Sequence, residues 1–141
     1  MDSKEKNTIF IVDDDADDVE LFCEAARKIN ANLKCLAFKN GQEVLDYLKI
    51  TVEIPDYIFL DLDMPTMNGK ECLIELNKSN ISKAIPVVIY SSSKINDDVT
   101  EFKKLGAKAF IKKPVFFEEI CSVIIKILES KAECLEGTFA T

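Results

Sequence analysis

The sequence predicts a doubly wound α/β fold, a (βα)5 chain whose parallel sheet runs in the order 2-1-3-4-5. Five short apolar runs, 8–12, 33–38, 57–60, 87–90 and 107–111, are separated by segments long enough for a helix each. None of the runs alternates strictly between apolar and polar residues, as a sheet with one wet face requires, so each fits a strand covered on both sides. The 141 residues, 48% apolar with only four Gly and four Pro, suit one domain with a full hydrophobic core.

Thr8 to Val12 is too short for a helix and rich in β-branched residues, which makes it the first strand. Asp15 can cap the first helix, with Asp18 at the third helical position, and Leu21, Phe22, Ala25, Ala26 and Ile29 then recur at helical spacing over 16–30. Leu33 to Phe38 is the second strand. Asn40 and Glu43 are spaced as a capping box before a helix lined by Val44, Leu45 and Leu48, and Pro55 ends that region. Tyr57 to Leu60 is the third strand, and its exit loop from Asp63 to Gly69 has turn chemistry from both Pro65 and Asn68-Gly69. Leu73, Ile74 and Leu76 mark the next helix, after which Pro86 opens the fourth strand, Val87 to Tyr90. Val99, Phe102, Lys103 and Leu105 trace a helix stopped by Gly106 as a C′ residue, and Ala107 to Ile111 is the fifth strand. Ile120, Val123, Ile124, Ile127 and Leu128 line the final helix. The domain is therefore expected over 8–129, between a polar extension, 1–7, and a tail, 130–141, where the pattern is lost.

The net charge of −7 is unevenly spread: residues 1–70 carry 8 basic and 15 acidic side chains, whereas 71–141 carry 10 of each. The deficit coincides with Asp13, Asp14, Asp61 and Asp63, which suits a cation and argues against nucleic acid and anionic membrane surfaces as partners. Cys23, Cys35, Cys72, Cys121 and Cys134 are odd in number, contain no CxxC pair and accompany no His at all, so they read as small core residues and not as a zinc site or disulfide framework. No apolar run approaches the ~18 residues a membrane helix requires, which makes a cytoplasmic protein the expectation.

In such a fold the strand-exit loops share one edge of the sheet, and ligands bind there where the strand order reverses. Four of the apolar runs stop at polar residues on that edge: Asp13 and Asp14, Asp61, Ser91, and Lys113. Asp14 and Asp61 end neighbouring strands, and two carboxylates so close repel unless a cation lies between them. Mg²⁺ is the natural choice, as a hard ion preferring oxygen ligands, with Mn²⁺ as a substitute. Asp13 can reach the same ion through water, and the backbone carbonyl of Asp63 is a further candidate ligand. A carboxylate attacking phosphorus needs its own charge partly neutralised and the equatorial oxygens of the transferred group held; the ion serves the first need, Lys113 and Ser91 the second.

Ile9-Phe10-Ile11-Val12-Asp13-Asp14-Asp15, Asp61-Leu62-Asp63-Met64-Pro65-Thr66-Met67-Asn68-Gly69, Pro86-Val87-Val88-Ile89-Tyr90-Ser91-Ser92, and Gly106-Ala107 followed by Phe110-Ile111-Lys112-Lys113-Pro114 together resemble the receiver domain of two-component response regulators over about residues 7–129. The resemblance implies a flavodoxin-like fold, a phosphoacceptor at Asp61, an acidic Mg²⁺ pair at Asp13 and Asp14, a switch hydroxyl at Ser91 and the family lysine at Lys113, with a cis Lys113-Pro114 bond as the usual form. It also implies a switch in which a phosphoryl group on Asp61 draws in the Ser91 hydroxyl and an aromatic at Phe110 moves inward. The surface that changes would be the face made by Val99 to Leu105, Lys108 to Ile111 and the final helix, which the resemblance implies can bind partners or a second copy as a homodimer. The implied phosphodonor is a sensor histidine kinase or a histidine phosphotransfer protein. With no output unit expected after residue 129, a single-domain regulator signalling through protein contacts or phosphorelay is the expectation. Asp17-Asp18-Val19-Glu20 further resembles stand-alone receivers associated with phytochrome-type and other hybrid sensor kinases.

Three rival readings fit less well. A haloacid-dehalogenase-type phosphatase would use Asp61 and Asp63 as nucleophile and acid, but wants Thr or Val where Pro65 stands and leaves Asp13 and Asp14 without a role. An EF-hand on Asp13, Asp15, Asp17 and Glu24 has Asp18 where Gly is needed and a strand where a helix belongs. A non-catalytic interaction domain of the same fold would have no use for Ser91, Lys113 and both Asp sites. One local feature is unfavourable by itself: Val115-Phe116-Phe117 stands where a helix start wants a polar cap, so the rings need the core or a partner.

Overall fold

The computed structural model describes residues 8–64, 67–92 and 99–129; the extension 1–7, Pro65 and Thr66 of the exit loop, and the tail with Cys134 lie outside the described residues. The elements run β1 (Thr8–Val12), α1 (Ala16–Ile29), β2 (Lys34–Phe38), α2 (Gly41–Ile50), β3 (Tyr57–Leu60), α3 (Gly69–Leu76), α4 (Asn80–Lys83), β4 (Val87–Ser91), α5 (Val99–Lys104), β5 (Ala107–Lys112) and α6 (Phe117–Glu129). All pairings are parallel, and the sheet order is β2-β1-β3-β4-β5, as the apolar strands require.

Alternate residues of the central strands point to opposite faces and build two cores. Phe10, Val12, Ile58, Leu60, Ile89 and Phe110 meet Val44 of α2, Leu73 and Leu76 of α3 and Phe102 of α5. On the other face Ile11, Phe59, Tyr90 and Ile111 meet Phe22, Ala25 and Ala26 of α1 and Ile120, Ile124 and Ile127 of α6. Phe22 anchors this second core, its ring 4.8 Å from Phe59 and 5.3 Å from Tyr90.

The helix starts obey their caps. Asp15 accepts from the backbone N–H groups of Asp17 and Asp18, which leaves the Asp18 carboxylate available for something else. Asn40 accepts from Glu43 as expected, but the Glu43 carboxylate takes the N–H of Lys39 and not that of Asn40, so the reciprocal half of the box is displaced by one residue. A full capping box forms at Asn68 and Glu71. Gly106 ends the α5 segment at φ +107°, a region a side chain enters only under strain. The one-turn α4, capped by Ser79, carries no periodic pattern and has no counterpart among the elements expected from the sequence. At the start of α6 the two rings separate: Phe117 packs on the second core with the Lys28 ammonium 5.7 Å above it, whereas Phe116 is 65% exposed.

Candidate functional site

Strand register delivers the polar residues to one edge. Val12 pairs with Leu60 and Leu60 with Ile89, so Asp13 and Asp61 each stand one residue past paired apolar positions. Backbone bonds extend the ladder through them: Asp13 N–H to Phe38 O at 2.9 Å, Asp61 N–H to Val12 O at 3.0 Å and Lys113 N–H to Ser91 O at 2.9 Å. The loop after β3 is held against this edge by Gly69, whose N–H donates to Leu62 O at 3.0 Å. A Cβ there would lie 2.5 Å from Asp61 O and 2.7 Å from Leu62 Cα, so only glycine permits the approach.

Asp13, Asp61 and Ser91 are buried, a costly setting for two carboxylates, while Asp14 is exposed. Oxygens of Asp13, Asp14 and Asp61 all lie within 4.8 Å of one another. Lys113, its side chain 10% exposed, stands 2.7 Å from Asp13 Oδ2, 2.8 Å from Asp18 Oδ2 and 3.8 Å from Asp61 Oδ2. Asp13 Oδ2 is buried and is held by the Lys113 ammonium as an ion pair. Its other oxygen accepts from Asp15 N–H at 3.0 Å.

Asp61 accepts from the Ser91 hydroxyl and the Asp63 backbone N–H, yet burial, reinforced by the Asp13 charge, raises its carboxyl to about 6 against the opposing pull of Lys113. Burial alone would lower the Lys113 ammonium, but its contacts with Asp13 and Asp18 outweigh that and hold it above the ordinary lysine value. Burial likewise raises the Tyr90 phenol, with Asp18 and Asp13 adding to the shift. A carboxylate with an elevated pKa, a second buried carboxylate whose only cation among the described residues is the shared Lys113 and a third open to solvent, all within 4.8 Å of one another, form a donor set that fits a hard divalent cation.

Residues 9–125 match the response regulator receiver domain family. The chain belongs to that family. This receiver is 25% identical over 133 residues to the probable methanogenesis regulatory protein FilR2 of Methanothrix harundinacea, covering 92% of this chain and 86% of that one. It is 27% identical over 116 residues to response regulator Rcp1 of Synechocystis, covering 79% of each. The crystal structure of the phosphorylated cyanobacterial phytochrome response regulator RcpA superposes with a TM-score of 0.80 at 28% identity, covering 94% of this chain and 99% of that one. Other curated relatives are longer, and this receiver spans only 17 to 31% of four of them.

The sequence-predicted residues Asp13, Asp14, Asp61, Ser91 and Lys113 do converge in the receiver. Phe110 is buried in the first core with its ring 5.9 Å from Phe102. One expectation is corrected: no cis peptide bond occurs among the described residues, so Lys113-Pro114 is trans, the isomer X–Pro bonds favour by ~0.5–1 kcal/mol. Asp18 is the residue that sequence reasoning missed. Its place at the third helical position, after the Asp15 cap, already accounted for it, and nothing in the spacing signals a bond to a lysine 95 residues away. Among the described residues no helix is long and apolar enough to cross a membrane.

Proposed function

We propose that the receiver accepts a phosphoryl group on Asp61 from a sensor histidine kinase or a histidine phosphotransfer protein and signals by changed protein contacts, as a single-domain cytoplasmic regulator. The observation that carries this reading is the buried Asp61 carboxylate beside Asp13, with Ser91 and Lys113 donating toward the same space. Asp14, Asp61 and the Asp63 carbonyl would ligate Mg²⁺ or Mn²⁺, with Asp13 holding a water on it; the bound ion would offset the anionic charge that otherwise opposes an incoming phosphate. Ser91 and Lys113 then hold phosphoryl oxygens in place of the Asp61 oxygens they face at rest. Departure of the Ser91 hydroxyl from its resting bond loosens the end of β4, and Phe110, already inward, is the ring whose packing against Phe102 that movement changes.

The direct test is incubation of the chain with a small acyl-phosphate or phosphoramidate donor and Mg²⁺, then mapping of the adduct. One base-labile acyl phosphate at Asp61, whose formation is prevented when the metal is chelated beforehand, is expected; an adduct elsewhere, or metal-independent labelling, would overturn the assignment.

Asp18 competes with the phosphoryl group for Lys113. Releasing one of the two carboxylates that hold the ammonium is worth about 1 kcal/mol to the new contact. Asp18→Asn is therefore expected to lengthen the half-life of the labelled protein roughly fivefold; an unchanged half-life removes Asp18 from the chemistry. Self-association is assigned to the face made by α5, β5 and α6, beside the exposed Phe116. Phe116→Ser is expected to weaken it in sedimentation, and an unaltered profile with and without phosphorylation counts against that surface.

A further inference from the structure

Away from the carboxylate edge, two cysteines face each other across α1 and β2. Cys23 Sγ and Cys35 Sγ are 2.9 Å apart, within about 1 Å of the ~2.05 Å bonding distance of a disulfide. Both are half-buried, on the partly covered margin of the second core, whereas Cys72 is fully buried in the first. The residues are 12 apart in sequence and join a helix to the edge strand of the sheet, so closing the link spans one short helix-turn-strand segment. We propose that Cys23 and Cys35 form an oxidisable dithiol, a modification site that a peroxide converts to an intramolecular disulfide.

The two sulfurs are unequal in a way that assigns roles. The Cys35 thiol beside it lowers Cys23, and Arg27, one turn further along α1, adds to that against the opposing effect of burial. Cys35 moves the other way, raised by the same contact and by its own burial, which outweigh the pull of the same Arg27. Cys23 is also the less enclosed of the two sulfurs, so a peroxide reaches it first and it is the thiolate that attacks. Its sulfur displaces hydroxide from the peroxide O–O bond and becomes a sulfenic acid, the peroxide taking two electrons. Cys35 then gives up its proton and attacks the Cys23 sulfur; water leaves with the hydroxyl, and the S–S bond forms. A dithiol reductant returns both thiols by exchange.

The test is made on the full chain. After brief treatment with hydrogen peroxide and quenching, the count of thiols reactive under denaturing conditions is expected to fall by two from the five cysteines of the sequence, and a peptide map to join Cys23 to Cys35. A dithiol should restore all five. Cys35→Ser is expected to stop at a Cys23 sulfenic acid trapped by a cyclic dione, and Cys23→Ser to lose no thiols on the same timescale. Retention of all five thiols in the native chain would overturn the proposal, as would linkage of either residue to Cys72, Cys121, Cys134 or a second chain. The wild-type map decides the matter independently of how the variants fold.

Discussion

Asp61→Asn is expected to abolish phosphoryl uptake and, in the absence of divalent metal, to fold more tightly than the parent at neutral pH. The amide has no nucleophilic anion, which accounts for the first effect. The second arises from the raised carboxyl, near 6 in the fold against 3.8 for an ordinary Asp. Between those values the folded chain holds the Asp61 proton more tightly than the unfolded chain, so this group lowers stability as pH climbs from about 4 to about 6, and the whole penalty is present above that. A shift of that size corresponds to on the order of 2–3 kcal/mol. An amide of the same shape escapes it and can still accept from Ser91 or Asp63. Urea denaturation of both proteins in a chelator should therefore show the variant ahead at pH 7.5 and the gap closing toward pH 4. Added Mg²⁺ should narrow the gap at pH 7.5, because the parent gains a ligand for its charge and the variant does not. A variant less stable than the parent in chelator at pH 7.5 would mean that the Asp61 charge is not strained by its burial.

That crowding of charge was legible in the sequence, because the two neighbouring strands β1 and β3 are apolar runs that each halt at a carboxylate, and a parallel sheet gathers its strand ends on one edge. Tyr57 to Leu60 matched β3 residue for residue for the same reason: a fully buried strand carries no ambiguity about which face is wet. What stayed hidden has long-range or non-periodic causes. Asp18 had a sufficient local explanation in the first turn of α1, so its bond to Lys113 could come only from the packing of α1 against the end of β5. Cys23 and Cys35 each sat within an apolar pattern and read as core filler; their contact depends on which face of α1 meets the edge strand. The single turn of α4 is held by one Ser79 cap and a Ser82 hydroxyl bonded to Leu76 O at 2.6 Å, neither of which has a periodic signature. Phe116 and Phe117 are neighbours with identical chemistry, and only the docking angle of α6 decides that the second ring is covered.

Gly69→Ala is expected to cost more stability than any change at the exposed rim and to damage the acceptor with it. The added methyl would meet Asp61 O at 2.5 Å, Leu62 Cα at 2.7 Å and Leu62 Cδ2 at 2.8 Å. The first two are backbone atoms of the segment that carries the acceptor, so no side-chain rotation relieves them. Either α3 retreats, breaking the Gly69 N–H bond to Leu62 O and loosening the Asn68–Glu71 capping box, or the Asp61 peptide moves off the end of β3. Overpacking of this kind costs ~1–3 kcal/mol where side chains can adjust, and rigid backbone on both sides puts this case at the upper end, about 3 kcal/mol. Gly106→Ala is a useful contrast, since its obstacles are a positive φ and the movable side-chain amide of Asn77, which makes about 1–2 kcal/mol the expected loss. Paired urea curves for the two variants, with phosphoryl uptake measured well below each midpoint, separate the effects. Gly69→Ala should lose uptake even where it is fully folded, because the Asp61 carbonyl and carboxylate belong to one residue and move together. Gly106→Ala should keep it. Parent-like stability and uptake in Gly69→Ala would show that the loop after β3 is not held against Asp61 as closely as the glycine contact implies.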